Sequence, residues 1–177
     1  MRKTEWKLKG HTFTLCLNAA ALTDIYDRFG TEKDIPDLYR GSDKASFDAL
    51  CWLLWKLSEQ GELVRRWEGL DRRPIVPESY FRANMAPFDA LDARRALSAV
   101  YEQAFRRDRD EDDEEEEVDL ILQELQKKNE NLALLLRQAG TQRLHLSLRE
   151  TMILTPGELV DLLALEARRV PRERSWE

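Results

Sequence analysis

Residues 42–61 read "SDKASFDALCWLLWKLSEQG". Phe47, Leu50, Cys51, Leu54 and Leu57 recur at i, i+3, i+4 and i+7, the spacing of one helix face, and Trp52 and Trp55 widen that stripe around much of the circumference. A helix so apolar either sits at the centre of its domain or faces a partner. Core packing accounts for Trp52 and Trp55 first, and contact with a partner is the alternative. Gly61 is expected to end this helix, and a loop containing Pro74 and Pro77 follows.

Working towards the N-terminus, "EWKLKGHTFTLCL" alternates Trp6 and Leu8 with Phe13, Leu15 and Leu17 across Lys9-Gly10, the period of a half-buried hairpin. Asn18 stands where a helix cap belongs. Leu22, Ile25, Tyr26 and Phe29 then follow at helical spacing before Gly30, so a helix is expected over about 19–29. Working forwards, Pro77 opens a short helix. "PFDALDARRALSAVYEQAFRR" then spaces Phe88, Leu91, Leu97, Val100, Tyr101 and Phe105 along a longer one, and the aromatics of this domain read as core rather than as a cofactor box. The fold class expected is therefore mainly α, with a small N-terminal β-hairpin packed on a helical domain.

The charge is unevenly spread. Residues 108–117, "DRDEDDEEEE", hold nine acids and one arginine, whereas the other residues carry 25 acids against 27 bases. A block that repels itself and has nothing apolar to bury reads as a linker. Three units are expected: a hairpin-plus-helices domain over 1–107, the acidic linker over 108–117 and a helical extension over 118–177. In the extension, Leu120, Ile121, Leu122 and Leu125 form one apolar cluster, Leu132, Leu134, Leu135 and Leu136 form a second, and Gly140 reads as the stop. So small a segment needs a packing partner to be stable.

Composition narrows the chemistry. With 177 residues, 42% hydrophobic and 35% charged, a helix-rich chain of one or two small domains is expected. No apolar run reaches the roughly 18 residues that span a bilayer, so no membrane association is expected. The basic start "MRKTEWKLKG" lacks an apolar stretch behind it, which points to the cytoplasm rather than secretion. Cys16 and Cys51 lie in core-forming elements and read as reduced, buried thiols. His11 and His145 have no second ligand at metal spacing, and no phosphate loop, dinucleotide turn or nucleophile elbow occurs. No catalytic residue, metal or cofactor is assigned. The paired arginines at 65–66, 72–73, 94–95 and 106–107 are interleaved with acids and read as solvated faces rather than a nucleic-acid surface.

Residues 146–162, "LSLRETMILTPGELVDL", place two helix starts back to back. Ser147 with Glu150 forms one capping box, expected to begin a short helix over about 148–153. Thr155 with Glu158 forms the next, with Pro156 at the first helical position. Two caps and a proline specify a corner that displays Leu159, Leu162 and Leu163 at a set angle from Met152 and Ile153.

The wording of this stretch resembles the C-terminal part of tail assembly chaperones of long-tailed bacteriophages and prophages. Ser147, Glu150, Met152, Thr155, Pro156, Gly157, Glu158, Leu159, Asp161 and Leu162 match that pattern. The opening "EWKLKGHTFTLCLNAAALTDIYDRFG" is similar to small tail proteins that begin with a hairpin and a helix ending in aromatic-Gly. In the lambda-type family the long form carries a C-terminal extension made by ribosomal frameshifting. The resemblance implies a non-catalytic protein of the host cytoplasm, absent from the mature virion. It binds the tape measure protein, keeps it soluble and helps recruit tail tube subunits. Self-association is a further expectation; neither nucleic acid nor membrane is an expected partner. The candidate contacts are Met152, Thr155, Pro156, Gly157, Glu158, Leu159, Asp161, Leu162 and Leu163 at the corner, with Trp52, Trp55, Leu120, Ile121 and Leu125 elsewhere. One departure is that "LLLRQAGTQRLH" lacks the aromatic-rich helix that similar extensions carry. The alternative reading is a generic cytoplasmic adaptor or minor structural tail protein.

Overall fold

The computed structural model describes residues 2–30, 35–107 and 131–169. The described chain runs β1 (Thr4–Leu8), β2 (His11–Leu15), α1 (Ala19–Phe29), α2 (Ile35–Arg40), α3 (Lys44–Trp67), α4 (Glu78–Asn84) and α5 (Pro87–Phe105). It resumes with α6 (Leu132–Gln138), a π-helical turn (Ala139–Arg143), α7 (Leu148–Ile153) and α8 (Pro156–Arg169). The fold is mainly helical with a two-stranded antiparallel hairpin packed on the helices. The acidic stretch and the cluster of Leu120, Ile121, Leu122 and Leu125 lie outside the described residues.

The hairpin follows its sequence pattern. Lys9 (φ 48°) and Gly10 (φ 79°) both take left-handed backbone, as a two-residue turn matched to strand twist requires, and they set the register Leu8↔His11, Trp6↔Phe13. Trp6 and Phe13 then share one face with Phe81 of α4, whose ring centroid lies 5.1 Å from that of Phe13 and 6.3 Å from that of Trp6. A lone hairpin is marginal in water, so this face depends on the helices. Beyond β2 the chain runs on along α3, where the Cys16 N–H donates to the Leu57 carbonyl at 3.1 Å.

Helix α3 is the axis of the core. Asp43 caps it, its Oδ1 accepting from the Ser46 N–H at 2.7 Å, and Leu50, Cys51, Leu53 and Leu54 are fully buried. The expected stop at Gly61 is corrected: the helix continues to Trp67. Gly61 marks a close approach, because a Cβ there would overlap the carbonyl of Thr14 in β2.

A second correction concerns α5. The inward line is Ala90, Ala93, Leu97, Val100 and Ala104. These small side chains let the helix close on β1 and α3, and that phase turns Phe88 and Leu91 outward, 73% and 50% exposed. Helix α2 is held by Arg94, whose Nε and Nη2 donate to the carbonyls of Tyr39 (2.9 Å) and Gly41 (2.8 Å) at the helix end.

The C-terminal helices pack on the same core. Helices α6 and α7 lie against α1, α8 lies against α5, and the Ala19 N–H donates to the Leu154 carbonyl at 3.0 Å. Gly140, expected as a stop, instead lies within the π-helical turn. A Cβ there would overlap the Thr151 side chain, so its role is to let α7 approach.

Candidate partner-binding surface

The corner forms as its caps dictate. The Ser147 N–H donates to Glu150 Oε2 at 2.8 Å, and Ser147 Oγ accepts from the Glu150 N–H at 3.2 Å. The Ser147 hydroxyl also donates to Glu150 Oε2 at 2.6 Å, and this bond, seconded by the Ser147 N–H, stabilises the ionised carboxyl and holds the Glu150 pKa below its usual value. The Thr155 N–H donates to Glu158 Oε2 at 3.0 Å, and the Glu158 N–H points back to Thr155 Oγ1 at 3.4 Å. Between the two caps Leu154 is extended, and Pro156 begins α8.

What the corner does with its side chains differs from the expectation. Leu159 and Leu163 are buried, at 0% and 2% exposure, and face inward rather than being displayed. Thr155, Pro156 and Gly157 are buried as well, whereas Met152, Glu158, Asp161 and Leu162 are half-buried. The reason lies in charge and shape at the start of α8. The Arg2 N–H donates to Glu158 Oε1 at 3.2 Å, and Arg2 Nη2 donates to Asp161 Oδ2 at 2.6 Å. Arg107 Nε reaches Asp161 Oδ1 at 3.3 Å. Gly157 has no side chain where α8 meets the end of α5; a Cβ there would overlap the Arg106 carbonyl. The Thr-Pro-Gly-Glu-Leu run thus docks α8 onto its own chain.

The two tryptophans separate. Trp52 is in the core at 5% exposure, edge-on to Phe29 at 5.2 Å and covered by the Arg28 guanidinium at 4.8 Å. Trp55 is half-buried, with Lys56 Nζ 4.6 Å from its ring. Cys16 and Cys51 are buried free thiols. Burial, assisted by the Glu158 charge, pushes the Cys16 pKa up to about 12, and burial pushes that of Cys51 up to about 11. Among the described residues no cluster of three or more His, Cys, Asp or Glu side chains is placed to hold a metal. None of the described helices is long and apolar enough to cross a membrane.

The arginine pairs are partly consumed inside the fold. Arg66 Nε donates to Glu62 Oε1 at 2.9 Å, and the Arg73 N–H donates to the same oxygen at 2.7 Å. Arg66 Nη2 donates to the Arg73 carbonyl at 2.9 Å, which binds the loop after α3 to the helix.

The feature missed from sequence is a groove of about 610 Å³ between the end of α3 and α7. Leu63 and Trp67 line one wall, Met152 and Ile153 the other, and Arg66, Arg72 and Arg149 also border it. Leu63 and Trp67 are 41% and 44% exposed, and the Arg149 guanidinium stands 4.8 Å from the Trp67 ring. Ending α3 at Gly61 hid this wall, although Leu63 and Trp67 are spaced i, i+4. Of the sequence candidates, only Met152 lines the groove.

Comparison with known proteins found no matching family model, no matching curated protein and no matching solved structure.

Proposed function

We propose that this chain is a non-catalytic tail assembly chaperone of a long-tailed phage or prophage, acting in the host cytoplasm and absent from the finished virion. It binds the tape measure protein, keeps it soluble and helps recruit tail tube subunits. The observation that carries this reading is the doubled capping box over 147–158 and its matching residues through Leu162, the stretch in which the family resemblance is most specific.

The physical logic suits the task. A long helical protein with repeated apolar stripes needs its surface covered until a tube surrounds it. Many modest contacts along one rod suffice through multivalency. Because Leu159 and Leu163 belong to the chain's own buried core, removing residues 140–177 would open that core rather than delete a recruiting arm. Surface point variants therefore make the cleaner tests.

The experiment is co-expression with the tape measure protein encoded beside this chain. The expected result is that the tape measure protein moves from pellet to supernatant. A tape measure protein equally insoluble with and without the chain would refute the proposal. Gene order gives an independent reading: a tube gene upstream and a tape measure gene immediately downstream are expected.

A further inference from the structure

We infer that the groove between α3 and α7 seats an amphipathic partner helix whose apolar stripe is flanked by Asp or Glu. The inference rests on the chaperone reading for its supposition that the partner is helical; the charge preference comes from the groove itself.

Two helices form the walls. Leu63 and Trp67 stand one turn apart on α3, and both are more than two-fifths exposed despite their size. Met152 and Ile153 face them from α7 across about 610 Å³, a space suited to side chains projecting from one helix face. Large apolar side chains left open beside arginines have the composition of binding hot spots, where Trp and Arg are enriched.

Charge selects the occupant. The groove is lined by three guanidiniums and by no carboxylate. Arg66 is already paired with Glu62, so Arg72 and Arg149 are the groups offered to a partner. Arg149 is held beside the Trp67 ring and Arg72 is exposed on the loop after α3. A carboxylate-flanked helix would meet both while burying its stripe on Leu63, Trp67 and Met152. A lysine-flanked helix of equal apolarity would be repelled.

The test titrates the full chain against two fluorescently labelled synthetic helices with the same Leu stripe, one flanked by Glu and the other by Lys, followed by anisotropy. The Glu helix should bind at least about tenfold more tightly, with a preference that weakens as salt rises. Arg72→Glu with Arg149→Glu should invert the preference, and Trp67→Ala should weaken Glu-helix binding about tenfold. Because Arg72 and Arg149 are exposed, the charge reversal remains decisive even if Trp67→Ala softens α3. Equal binding of both helices, or a preference unchanged by the reversal, would overturn the inference. So would binding of a DNA duplex that disappears on charge reversal yet ignores Trp67→Ala, with neither helix bound. Failure here while the wild-type chain still solubilises the tape measure protein refutes the groove alone. Failure of solubilisation refutes the chaperone reading whatever the peptides do.

Discussion

Arg2 and Asp161, 159 positions apart in sequence, are joined by a 2.6 Å hydrogen-bonded ion pair, and Arg107 approaches the same carboxylate at 3.3 Å. The Arg2 and Asp161 side chains are only 9% and 19% exposed, so this is a largely shielded link between the chain start and α8. Asp161→Ala removes the acceptor shared by two guanidiniums and should cost about 2–3 kcal/mol. Hydrogen exchange should show lost protection in α8 ahead of α3, with a smaller loss for Asp161→Asn. Unchanged α8 protection would mean that apolar packing alone holds the helix.

Gly61 tests the packing of the hairpin on α3. A methyl group there meets backbone, the Thr14 carbonyl, which has no rotamer to escape into. Gly61→Ala should therefore destabilise the protein by about 3 kcal/mol despite improving helix propensity. Denaturant titration reads this directly. A neutral or stabilising substitution would contradict the close approach.

The buried thiols predict alkaline destabilisation. Cys16 titrates near 12 in the folded chain against 9.0 for the ordinary thiol, so between those values the unfolded chain has lost a proton that the folded chain retains. Stability is thus fully present below about pH 9 and falls as pH rises towards about 12, approaching 1.4 kcal/mol per pH unit for this thiol. Cys16→Ala should flatten that slope, and Cys51, raised to about 11, should contribute over a narrower window. A thiol reagent at pH 8 should find neither cysteine until denaturant is added.

Ser147 supports the wall of the groove as well as the corner. Ser147→Ala breaks the reciprocal cap with Glu150 at the start of a six-residue helix and should cost about 1 kcal/mol. Since that helix carries Arg149, Met152 and Ile153, the same change should weaken Glu-helix binding while leaving the hairpin's stability contacts untouched. Calorimetry paired with the anisotropy titration checks both halves.

What the residues revealed in advance was the chemistry that acts locally. The Lys9-Gly10 turn, the Asn18 cap and the paired boxes at Ser147 and Thr155 each depend on a few neighbouring residues, and each formed where expected. Gly61 and Gly140 misled because a glycine at a stop and one at a close approach look alike until the approaching strand or helix is known. Phe88 and Leu91 misled because the phase of α5 follows its line of alanines rather than its largest side chains. The short helix α2, held by Arg94 from α5, gave no periodic signal of its own. The groove depends on Leu63 and Trp67 meeting Met152 and Ile153 from a distant helix, a juxtaposition no local pattern contains. For the corner, sequence located the element but not its orientation: Leu159 and Leu163 turn inward as α8 packs on α5, with Arg2 and Arg107 pairing with Asp161 alongside, and both arginines lie far from α8 in sequence.

Size-exclusion chromatography with light scattering, applied to the full chain co-expressed with the tape measure protein that the proposal expects to be encoded immediately downstream, bears most directly on the chaperone account. The account predicts a single soluble species containing several copies of this chain per tape measure molecule. Separate elution of the two proteins under conditions in which both are soluble would contradict it.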